Sequence, residues 1–143
     1  MTIPVWMLLG FAAWTVLLLT VTVGVYRWSL ILTGRAPVHS FRADQLEGAD
    51  WYRRATRAHA NCIENLPVFC AVVIGLHIGN VASPLVDALA MTILIARILQ
   101  STVHVCFVQT SFVASVRFTF YFAQAACFVW LIGIIVAAHT GSA

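Results

Sequence analysis

"LPVFCAVVIGLHIGNVASPLVDALAMTILIA", residues 66–96, sets two apolar runs back to back with only "NVASP" between them. Strands of a membrane barrel are about ten residues long and alternate in polarity, whereas a spanning helix needs about 20 mostly apolar residues. Neither run alternates, so both read as spanning helices, and the short turn makes them antiparallel neighbours. The pattern continues outward on both sides. Ile3 to Val25 carries no ionisable group and Arg27 ends it, while Phe118 to Ala138 carries no charge. The spacing predicts four spans, over 3–32, 54–80, 85–109 and 116–139, with a polar connection over 33–53.

Composition agrees. Of 143 residues, 62% are hydrophobic and only 9% charged, with no lysine, where a soluble domain carries about 25% charged residues. The expected fold class is all-α, a single-domain integral membrane four-helix bundle in the lipid bilayer. The first span lacks a basic leading region and a small-residue cleavage site, and its apolar stretch is too long for a signal peptide, so it counts as a helix.

Six arginines (Arg27, Arg35, Arg42, Arg53, Arg54 and Arg57) lie in or beside the first connection, and Arg117 falls on the same side. The turn at 80–84 and both termini have none. The positive-inside tendency therefore predicts a cytoplasmic 33–53 loop, with Asp44 and Glu47 in it, and both termini away from the cytoplasm. The expected setting is a bacterial inner membrane or its equivalent. Trp28, Trp51 and Tyr52 fit an inner aromatic belt and Trp6 an outer one. The net charge of +3 is then a topology signal, and with no basic face in water a nucleic-acid partner is not expected. Cys62, Cys70, Cys106 and Cys127 form no Cys-x-x-Cys pair, so they read as small apolar residues, and no metal is expected.

"TRAHANCIENLP", residues 56–67, is the polar mouth of the second span. At about 100° per residue, Arg53, Arg54, Arg57, Asn61, Glu64 and Asn65 fall within a stripe of about 120°, with His59 pointing away. On the third span, Arg97, Gln100, Ser101 and His104 likewise share one face. Glu64 lies roughly 10 Å inward of Arg57 at the helical rise, a depth at which it meets Arg97 or holds a ligand's amino group. Charges in a bilayer must pair or face an aqueous cavity. Three arginines sharing a stripe with one acid call for an anion, and arginine grips carboxylates in bidentate fashion. With Asn61 and Glu64 available to an ammonium group, a zwitterion with an extra carboxylate fits, and glutathione is one. Pro67, inside the same span, should free the Ile63 carbonyl and kink the helix; Ser111 or Ser115 can cap the fourth helix.

"RRATRAHANCIENLPVF", residues 53–69, resembles the second-helix signature of the MAPEG family (membrane-associated proteins in eicosanoid and glutathione metabolism), Arg-x-x-x-Asn-x-x-Glu followed by proline. The four-span layout, the length and the arginine within "ARILQSTVH" match as well. The resemblance implies a homotrimer of four-helix subunits that binds glutathione between subunits near the cytoplasmic surface. It implies glutathione contacts from Arg57, Asn61 and Glu64, with Arg54, Arg35 and His59 at the rim. Arg97 would be structural or ligand-facing, and Arg117 would stabilise the thiolate. Tyrosines are common in the third helix of the family's transferases; here Gln100 and His104 occupy those turns. A physical rationale for Arg117 exists beside the resemblance: a thiol has a pKa of about 8.5, and a guanidinium at the positive end of a helix favours its nucleophilic anion.

The expected activity is a membrane-bound glutathione transferase, with peroxidase activity as a variant, acting on lipophilic electrophiles. Two alternatives stand beside it. One is a non-catalytic lipid-binding or accessory scaffold of the same fold. The other is a haem b protein, because His59 with His104 and His77 with His139 form two pairs at matched depths.

Overall fold

The computed structural model describes residues 1–41 and 48–140, which leaves Arg42, Asp44 and Glu47 outside the described residues. Four long helices carry the fold: α1, Ile3–Leu32; α2, Asp50–Ile78; α3, Pro84–Cys106; and α4, Ser111–Thr140. All four are long and apolar enough to cross a membrane. A single 3-10 turn, Val38–Ser40, follows α1, and no strand occurs among the described residues. The chain is an all-α integral membrane protein.

Helix α1 is wound as a π-helix over Leu19–Gly24, where the Thr20 hydroxyl donates back to the Val16 carbonyl at 3.0 Å and competes with the backbone ladder. Just beyond, Tyr26 and Arg27 clasp the start of α2. The Tyr26 ring stacks on Tyr52 with centroids 4.3 Å apart, and its hydroxyl accepts the Ala49 N–H at 3.2 Å. Arg27 Nε donates to the Tyr52 hydroxyl at 2.8 Å. Gly48 enters this clasp at φ +128°, where an added Cβ would lie 2.8 Å from the Tyr26 oxygen. With its first turn held this way, α2 begins at Asp50.

Pro67 cannot donate to the Ile63 carbonyl, yet α2 runs on to Ile78 without a break. It closes at Gly79, with Asn80 at φ 51° and the Val81 N–H returning to the Leu76 carbonyl at 2.9 Å. Ser83 then caps α3, its hydroxyl accepting the Val86 N–H at 3.2 Å, and Pro84 takes the first helical position, where no N–H is needed. The cap of α4 differs from expectation. Thr110 accepts the Val113 N–H at 3.2 Å, whereas Ser115 already lies inside the helix and bonds back to the Ser111 carbonyl at 2.9 Å.

Phe69 of α2 meets Phe11 of α1 and Phe128 of α4 edge-on, with centroids 5.7 and 5.9 Å apart. Val86, Ala90 and Ile93 of α3, all fully buried, complete this core. Helix α3 is the central element, with Val86, Ala90, Ile93, Ala96, Arg97, Gln100, Ser101 and His104 buried along its length. Outward-facing residues such as Trp6, Val16, Phe112, Phe122, Val129 and Trp130 remain exposed on the bundle, as a surface facing hydrocarbon requires. Between α2 and α4 runs an apolar groove of about 510 Å³, lined by Pro67, Val68, Ala71, Gly75, Ile132 and Ile135.

Candidate functional site

Helical spacing brings the polar residues of α2, α3 and α4 to one side of the bundle, where they line two neighbouring recesses that share Gln109. The deeper one, about 260 Å³, takes Asn61, Glu64 and Asn65 from α2, and Arg97 and Gln100 from α3. Arg117, Phe118 and Tyr121 of α4 close it. The other, about 360 Å³, lies toward the arginine-rich end and is lined by Asp50, Arg53, Arg54, Arg57 and His104. Ligand pockets usually span about 300–1,000 Å³, so the two together are of a size for a small peptide, and each alone is small for one.

The arginines of the deeper recess make no ion pair at contact distance among the described residues. Arg97 is 1% exposed, and its Nε and one terminal nitrogen have no hydrogen-bond partner. Its guanidinium carbon stands 5.6 Å from the centre of the Phe11 ring, a cation–π contact that offsets part of the burial. Behind it, the Ser101 hydroxyl donates to the Arg97 carbonyl at 2.7 Å and lies 3.5 Å from Cys62 Sγ. Arg117 reaches Gln109 Oε1 at 3.4 Å, and its buried Nε is also without a partner. Glu64 lines the recess, yet the one ion pair among the described residues is Arg53 with Asp50, at the exposed start of α2. Glu64 is exposed at the recess and makes no ion pair with Arg97 at contact distance, although the two charges still attract each other across it. In the neighbouring recess Arg54 Nε donates to the Val105 carbonyl at 3.3 Å, and Arg57 is exposed.

Arg117 departs from expectation in one respect. Helix α4 starts at Ser111 instead of 116, which puts Arg117 more than a turn inside it. The field of a helix end fades within the first turn, so any stabilisation of an anion by Arg117 comes from its guanidinium and not from the helix terminus.

Two candidate residues stand outside both recesses. His59, its Nδ1 buried and unpartnered, lies against α1 near Thr15, and Arg35 is exposed beyond the end of α1. His104 lies in the arginine-lined recess instead, so His59 and His104 do not converge on a common space. Among the described residues no group of three or more His, Cys, Asp or Glu comes together as a metal site.

Several lining residues were not singled out from sequence. Asn65 shares the polar stripe of α2 but was not selected from it, and Gln109 sits in the connection before α4. Tyr121 lines the recess four residues along α4 from Arg117, and the buried Gln124, outside the lining, lies on the same face three residues further. A lone glutamine in a span without charge was the readable sign.

The sequence profile of the MAPEG family matches residues 5–137, nearly the whole chain. No curated protein and no solved structure matches.

Proposed function

The chain belongs to the MAPEG family, and from that premise we propose that it is a glutathione transferase acting on lipophilic electrophiles at the cytoplasmic side of its membrane. The observation that carries this reading is the set of unpartnered guanidinium nitrogens of Arg97 and Arg117 around a recess whose one acid, Glu64, is not ion-paired. A buried cation without a partner costs several kcal/mol, which an arriving anion offsets.

In this reading Arg54 and Arg57 hold glutathione's carboxylates, with His104 beside them. Asn61 and Glu64 take its amide and ammonium groups, Gln100 lines the wall, and Arg97 faces the ligand from below. The thiol sits at Arg117, whose guanidinium favours the anion. The thiol proton passes to water, the thiolate's electron pair forms a carbon–sulfur bond, and the leaving group departs with the electrons of the broken bond. Rate comes from the raised thiolate fraction and from proximity. The apolar groove between α2 and α4 begins at Pro67, three residues from Glu64, and supports entry of the electrophile from the bilayer. A homotrimer completes the proposal, its neighbouring subunits covering the exposed edge of the polar stripe. Arg35 and His59 are assigned no contact.

The test is a glutathione titration of the detergent-solubilised protein, read by thiolate absorbance in the ultraviolet and by turnover of a lipophilic electrophile. Wild type should develop the thiolate band and Arg117→Ala should lose it, with turnover falling about a hundredfold or more while glutathione still binds. Binding without a thiolate band in wild type would leave a non-catalytic member of the fold.

A further inference from the structure

Gln124 is 1% exposed and sits in a helix with no arginine, aspartate or glutamate after Arg117. Both hydrogens of its amide are in use: Nε2 donates to the Phe120 carbonyl at 3.0 Å and to Gln100 Oε1 at 3.0 Å. Gln100, 7% exposed on α3, donates in turn to the backbone carbonyl of Arg117 at 3.2 Å. Two side chains, one per helix, thus link one turn of α4 across to α3 and back to α4 at Arg117.

Docking α3 on α4 has no need of this link. Replacing both partners of a hydrogen bond by apolar groups of the same shape is close to neutral, and inside a membrane an unsatisfied polar group costs several kcal/mol. Gln124 Oε1 is buried without a partner, so the pair is not arranged for stability alone. What distinguishes it is its far end, which fixes the backbone of the residue whose guanidinium faces the recess. We infer that Gln124 and Gln100 are positioning residues for Arg117, setting the turn of α4 so that its guanidinium reaches the sulfur of the bound thiol. This rests on the thiolate role proposed above.

The test compares wild type, Gln124→Met and Gln124→Glu in detergent, with glutathione as the probe. Gln124→Met keeps the shape and removes the link. It should bind glutathione with nearly unchanged affinity, show less thiolate absorbance per bound glutathione, and lose about tenfold to a hundredfold in kcat, the scale of a misplaced reacting group. Gln124→Glu restores a donor to Gln100 only in its protonated form, so its loss relative to wild type at the same pH should shrink as the pH is lowered, which the loss in Gln124→Met should not do. A thiolate yield in Gln124→Met equal to wild type, or identical losses in both variants at every pH, overturns the inference while the transferase reading stands. Absence of a thiolate band in wild type overturns both.

Discussion

At the scale of single residues, Arg97 separates a structural from a ligand-binding account. Breaking a buried ion pair by removing one partner costs about 3–5 kcal/mol, but Arg97 has no such pair among the described residues. Arg97→Met should therefore leave the melting temperature of the ligand-free protein unchanged or raised. Glutathione at a hundred times its Kd stabilises a protein by about 2.7 kcal/mol, and this increment should shrink in the variant. A fall in the melting temperature of the ligand-free protein would return Arg97 to a packing role. Much of this site was legible beforehand, because helical periodicity alone puts Asn61 with Glu64 on one face of α2 and Arg97 with Gln100 on one face of α3, and these faces line one recess. Periodicity does not say how two faced helices rotate against each other. That is why the division into two recesses, and the place of Gln109 between them, emerged only from the coordinates.

At the scale of elements, apolar run length identified all four helices, since hydrocarbon thickness fixes how many residues a span needs. The ends were harder to read. Helix α4 starts five residues before 116 because Thr110 offers a cap that hydropathy does not register. Helix α2 extends to Asp50 because an aromatic clasp from α1, distant in sequence, holds its first turn. Gly48→Ala probes that clasp. A side chain at φ +128° is strained, and its Cβ would crowd the Tyr26 hydroxyl. The variant should lose about 1 kcal/mol or more, seen as a lower melting temperature in detergent, with glutathione affinity unaltered.

At the scale of the whole molecule, the arginines gather at one end of the bundle. Arg27, Arg53, Arg54 and Arg57 surround the α1–α2 connection, and Arg117 lies near the α3–α4 turn. With the four native cysteines replaced (Cys106 is exposed), a membrane-impermeant thiol reagent should label Thr2→Cys on intact cells. Ser40→Cys should react only after lysis. The reverse pattern would turn the protein over in its membrane and put the recesses on the opposite side from cytosolic glutathione. The Tyr26–Tyr52–Arg27 contacts also tie the end of α1 to the start of α2, independently of the exposed turn at Thr33–Arg35 that follows α1. Doubling the length of a flexible loop whose ends are held costs only about 0.6 kcal/mol. A fluorescent reporter or affinity handle grafted after Gly34, which is exposed beyond α1, should leave the four helices undisturbed, a practical site for following the protein in living membranes.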